Sequence, residues 1–283
     1  MNMKNLLFFI SIVIVALSCE KEKITNSAPV PQPPYSYLSS DFAGINDNFY
    51  INVYTLFPDD SAYSLGKSGI GQKWDYSTIP LSSTIDTINF LDPSSSPDYY
   101  LFTNSNINLK KNDGSNLFLS KSSEKIDLVG VVLNVYGIDV KDTLDNPLTK
   151  YKFPMTLGSE LIDSGSITLD TQMVYFGFPV SATISINYRI NSIIDASGSV
   201  KTPTGTYDCV RDKRVEYTDM NVNILGMNVY STKDTLYQYN YWTKAKKWNV
   251  IEITTDQKDK IKSIGYLLNK LYIFAKQIKL KSL

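Results

Sequence analysis

The chain of 283 residues contains no histidine. That absence removes Ser-His-Asp and Cys-His nucleophile systems, whose base is an imidazole. It also removes the usual zinc sites, which draw on histidine or on several cysteines, because the only cysteines are Cys19 and Cys209. Charge of one sign is not in excess either. The 28 basic and 28 acidic residues balance and no basic run occurs, so nucleic acid is not an expected partner. Long apolar runs are missing as well: Leu6 to Leu17, apolar apart from Ser11, covers twelve residues, where a membrane-crossing helix needs about 20. The chemistry left open is carboxylate-based, of the glycosidase type, or calcium binding through oxygen ligands.

The short apolar run stands between Lys4 and Ser18-Cys19, the charged, apolar, small-residue order of a secretory signal peptide. Ala16-Leu17-Ser18-Cys19 resembles the lipobox of lipoprotein signal peptidase substrates, with Ala16 where that family prefers Leu, Val or Ile. The resemblance implies cleavage before Cys19 and acylation of Cys19 with chains such as palmitate. One chain binds a membrane marginally, and two or more make a stable anchor. Pro29, Pro31, Pro33 and Pro34 follow in a polar stretch that reads as an extended spacer of about 3.1 Å per residue. The expected address is the cell envelope, as an outer membrane lipoprotein. Glu20-Lys21-Glu22-Lys23 is similar to the charged signal that carries Bacteroidetes lipoproteins to the cell surface.

With Cys19 acylated, Cys209 has no partner for an intramolecular disulfide. It lies in a strand-like run, Tyr207 to Val210, where a cysteine behaves as a small buried hydrophobe. The expected organisation is a signal peptide over 1–18, a lipidated cysteine and spacer over 19–34, a β body over 35–268, and a tail or short helix over 269–283.

From Tyr35 onward Tyr, Thr, Ile, Val, Ser and Asn dominate, broken about every ten residues by Gly, Pro, Asn or Asp. Ile184, Ile186, Tyr188 and Ile190 alternate with Thr183, Ser185, Asn187 and Arg189, the pattern of a half-buried antiparallel strand. Asp127 to Tyr136, Val210 to Tyr217, Thr235 to Trp242 and Trp248 to Thr254 read the same way. Turns are expected at Lys111 to Gly114, Ala196-Ser197-Gly198 and Pro203-Thr204-Gly205, and Asp142 to Lys150 is the best candidate boundary. The expected fold is an all-β antiparallel sandwich, jelly-roll-like or two packed sheets, either as one body or bilobed.

Four stretches carry a family resemblance: Gly69 to Ser77, Phe90-Leu91-Asp92-Pro93, Lys152 to Gly158, and Lys201 to Arg211. Together they resemble a group of Bacteroidetes secreted and surface proteins with an early G-x-x-W-D-F-S element and a late P-T-G-T-Y-x-x-x-R element. The resemblance implies a β-rich extracellular module and no particular activity. Leu65-Gly66-Lys67-Ser68 lacks the glycine a phosphate loop needs, since Ser61 stands there. The acidic loops at Asp41 to Asn48, Asp59-Asp60 and Asn112-Asp113-Gly114 lack the spacing of a calcium loop, so no metal and no cofactor are expected.

The candidate ligand-binding residues are Tyr237, Tyr239 and Tyr241, which alternation puts on one strand face, with Trp242 and Trp248 close by. Aromatic rings suit half-polar ligands such as sugars; the same tyrosines equally suit a packed sheet face. The expected role is a non-enzymatic binding or adhesion module with a glycan or envelope-protein partner. A carboxylate-dependent glycan hydrolase and an envelope scaffold are the alternatives.

Overall fold

The computed structural model describes residues 35–56, 62–135, 138–175 and 177–269, which belong to a compact unit beginning at Pro34. Cys19, the spacer and residues 270–283 lie outside the described residues. Among the described residues thirteen strands form: β1 (Asn48–Thr55), β2 (Gly69–Asp75), β3 (Ile85–Leu91), β4 (Ile107–Lys111), β5 (Asn116–Lys121), β6 (Lys125–Val135) and β7 (Ile138–Lys152). They continue as β8 (Glu160–Tyr175), β9 (Phe178–Thr202), β10 (Gly205–Ile224), β11 (Met227–Trp242), β12 (Asn249–Thr255) and β13 (Ile261–Leu267).

The expected sandwich is not what forms. Leaving out β2, each strand pairs antiparallel with the next in the chain, and β13 returns to β1 through Ile51↔Leu267 to Thr55↔Ser263. The result is a closed, up-and-down barrel of twelve antiparallel strands. A sandwich and a barrel share the same alternation along each strand; the difference is the pairing of the first and last strands, which removes the edges. A bilobed body is ruled out at the expected boundary as well, since Asp142 to Lys150 runs within β7.

Pairing fixes the faces. Ile184, Ile186 and Ile190 are buried inside, while Asn187 and Arg189 are exposed on the outer face. Inside one end, the entering segment brings Tyr37 and Phe42 against Trp242, with Phe42 also packing on Phe90, Phe153 and Trp248. Lys121 fastens this segment by donating to the carbonyls of Phe42 and Ala43.

Two excursions cover apolar patches on the outside. Phe102 stacks on Phe118 at 3.8 Å between centroids, a contact open only because Gly130 lies beneath; a Cβ there would meet the Phe102 ring at 2.3 Å. The other excursion carries β2, which runs parallel to β9 at Lys73↔Ser199, Trp74↔Val200 and Asp75↔Lys201, just beyond where β8 leaves β9 at Glu160↔Ile193.

Turns at Lys111 to Gly114 and Pro203 to Gly205 form as expected, with Gly114 at φ +90 and Gly205 at φ +150. Ala196-Ser197-Gly198, expected to turn, instead lies inside β9. Gly198 is there because β2 passes close: a Cβ would sit 2.0 Å from the Gln72 carbonyl oxygen.

Candidate functional site

Strand β10 carries charge on both faces. Outward, Arg211 makes a two-pronged contact with Asp195, Nε to Oδ1 and Nη2 to Oδ2, each 2.8 Å. It also donates to the Leu65 and Lys67 carbonyls and lies over the rings of Trp74 and Tyr239. Trp74 is buried, and its indole donates to the Leu65 carbonyl at 2.9 Å. The stretch Leu65 to Lys67 is thus a clasp whose carbonyls face a guanidinium, the reverse of a phosphate cradle.

This clasp also settles where the tyrosines go. Tyr241 is buried against Trp74 and Tyr76, and its hydroxyl lies 3.1 Å from that of Tyr76. Tyr239 is buried and donates to Asp259 at 2.9 Å, and Tyr237 is half-buried. Trp242 and Trp248 sit in the aromatic cluster inside the barrel. The five candidates therefore divide between two faces and make no common exposed surface. Their indole members keep N–H groups without a hydrogen-bond acceptor.

Inward, β10 presents Asp212, Arg214 and Glu216. Arg214 donates from Nε to Asp212 at 3.0 Å, from Nη1 to Glu216 at 3.2 Å and from Nη2 to the Lys150 carbonyl at 2.9 Å. Its guanidinium lies 4.7 Å from the Tyr151 ring centroid. Lys150 donates to both Glu216 oxygens, at 2.8 and 2.9 Å, and Ser192 donates to Asp212 at 2.6 Å. Arg214 and Asp212 are almost wholly buried, at 2% and 1% side-chain exposure. Lys150 and Glu216 keep 19% and 25%, although the barrel wall surrounds them, so the interior beside them is not tightly filled.

Two strands round the same wall, in register with Asp212 through Asn240, Gln238 and Asn249 donate to Glu252, and Asn249 also to Asn240. The two glutamates titrate in opposite directions. Burial alone would raise Glu216, but Lys150 and Arg214 outweigh it and hold the carboxyl at about 2. Glu252 is raised: burial dominates, and the nearby charges of Glu216 and Asp86 add to it against the Asn249 hydrogen bond and Lys111.

A cavity of about 250 Å³ lies at the connection between β7 and β8 and reaches this cluster; Phe153, Leu161, Ser192, Ile194, Asp212 and Arg214 are among its walls. Here the barrel is least zipped. β7 and β8 share the registered pair Asn146↔Ser166, and side chains bridge the rest: Asn146 donates to the Ser164 carbonyl, and Asp163 accepts from the Thr149 amide.

Sequence reasoning missed Lys150, Asp212, Arg214, Glu216 and Glu252. The available signal was Asp212, Arg214 and Glu216 at a spacing of two on a recognised strand. Cys209 is fully buried as expected, and burial pushes its thiol well up. Among the described residues, no three acidic or cysteine side chains come together around a metal site. Asp47 and Asp113, in the acidic loops, accept instead from the backbone amides of Gly44 and Ser115.

No family model matches the chain, and no curated protein matches it. Among solved structures, it is similar to a Bacteroides fragilis protein of YmcC-like fold at 13% identity and a TM-score of 0.28, over 80% of this chain and 97% of that one. That likeness is too distant to transfer fold or function.

Proposed function

We propose that the chain is a lipid-anchored protein of the cell envelope whose barrel is a binding module, for a glycan or for another envelope protein. The cavity beside Arg214 carries the binding half: it opens at the β7–β8 connection, is lined by apolar and polar groups, and holds fixed hydrogen-bonding partners. Asp212 has both oxygens engaged, one by Ser192 and one by Arg214. That fixes the carboxylate's position beside the cavity, as holding a ligand requires. The anchor half rests on Ala16-Leu17-Ser18-Cys19 and the run before it.

Each half has its own test. Replacing Cys19→Ala should abolish labelling by radioactive palmitate and release the protein from the membrane fraction; unchanged labelling removes the anchor. The detergent-solubilised full chain, probed on a glycan array and by cross-linking in intact cells, should show a saturable partner. Silence in both removes the binding module.

A further inference from the structure

The cavity has features that narrow its ligand. Its volume of about 250 Å³ falls below the roughly 300–1,000 Å³ of drug-sized pockets, so one ring is what it can enclose. The charges beside it are already matched: Arg214 and Lys150 stand against Asp212 and Glu216 in direct contacts. An entering ion would find no spare counter-charge and would lose its hydration for nothing.

A neutral ligand rich in hydroxyls meets a different surface. Arg214 has five N–H groups, and each of its three nitrogens is fixed by one acceptor, which leaves two N–H groups uncommitted. Asp212 accepts one hydrogen bond on each oxygen, and a carboxylate has about four lone-pair sites. The Nε–Oδ2 hydrogen bond of 3.0 Å joins the two side chains, so the spare N–H groups of Arg214 and the spare lone pairs of Asp212 belong to adjoining groups, and two adjacent hydroxyls can each take one partner. A hydroxyl both donates and accepts, so a vicinal diol uses the pair without disturbing its charge balance. The apolar walls at Phe153, Leu161 and Ile194 suit the C–H faces of such a ring. Because Arg214 is held at all three nitrogens and stacked on Tyr151, little ordering cost remains to be met on binding.

We infer that this cavity binds a single neutral polyhydroxyl ring, a monosaccharide or the terminal unit of a glycan, through adjacent hydroxyls on Asp212 and Arg214. The inference rests on the binding-module reading above and sharpens it to one site and one ligand class.

The test is calorimetric titration of the detergent-solubilised full chain with neutral hexoses and pentoses, alongside a uronic acid and inorganic phosphate. A neutral sugar should bind. Leu161→Trp fills the cavity from a half-buried wall position that is not itself a member of the ion pairs, and should weaken that sugar at least about tenfold with its melting temperature unchanged. Asp212→Asn, close to isosteric, should weaken it as well. Preferential binding of the uronic acid or phosphate overturns the inference, as does the absence of any sugar binding. Sugar binding that Leu161→Trp leaves intact also overturns it, while the binding-module reading stands with its site elsewhere. A partner protein with no sugar binding has the same consequence, and only the loss of every partner brings down both readings.

Discussion

Glu216 and Glu252 share one interior and make opposite demands on pH. Glu216 is held at about 2, below its ordinary 4.5, so on acidification the unfolded chain takes up that proton first. Its contribution to stability is full above about 4.5 and drains away as the pH falls towards 2. Glu252 is raised above its ordinary value, so the folded chain keeps that proton longer. Its contribution is full below the ordinary value and is lost as the pH rises through the raised one. Urea unfolding across a pH series should therefore show a flatter acid limb in Glu216→Gln and higher stability at pH 7 in Glu252→Gln. Identical slopes in all three proteins would refute the assignment. Arg214→Met should cost about 3–5 kcal/mol, because it leaves the buried Asp212 carboxylate without its cation; equilibrium denaturation measures it, and a loss under 1 kcal/mol would show that the cluster is wetter than its burial indicates.

At the scale of single elements, the sequence was most legible where one local rule decided the outcome. Alternation from Thr183 to Ile190 placed the isoleucines inside, and Pro203-Thr204-Gly205 turned where its glycine allowed. It misled where one residue type serves two purposes: glycine marks a turn or a close backbone approach, and Gly198 is the second. Gly198→Ala should lift β2 off β9, cost about 1–3 kcal/mol, and expose the Arg211 clasp; faster proteolytic cleavage within residues 62–82 would report it. Unaltered cleavage would mean that β2 is held mainly from its other contacts. The turn between β10 and β11 gives the converse case. Leu225 at φ +50 precedes Gly226 at φ +80, and Leu225 is 69% exposed. A branched side chain in the left-handed region costs about 1 kcal/mol, which Leu225→Asn should recover as a higher melting temperature. The inward charged cluster stayed hidden for a related reason. Strand β10 has charges on both faces, Arg211 and Lys213 against Asp212, Arg214 and Glu216, so alternation could not say which set turned inward.

For the molecule as a whole, closure was beyond local reading. Nothing within β1 or β13 announces that each will pair with the other, and without that pairing a string of alternating strands reads as two sheets. The ring is also uneven. β9 runs 25 residues with long registered partners on both sides, whereas β7 meets β8 through one registered pair and side-chain bridges. Hydrogen exchange should find the facing amides of β7 and β8 opening at lower free energy than those of β9 and β10. Equal protection of both pairs would contradict a seam beside the cavity.

The closing pair of strands also sets an order in time. β1 has no permanent neighbour on one side until residues 261–267 arrive from the far end of the sequence. The earlier strands can zip to one another as they emerge, but the cylinder stays open until that last strand exists. A fold whose decisive contact is its most distant one completes slowly, and until then the open sheet exposes two strand edges able to pair with other chains. For a chain exported as we propose, finishing only after complete delivery keeps it threadable for as long as it must be threaded.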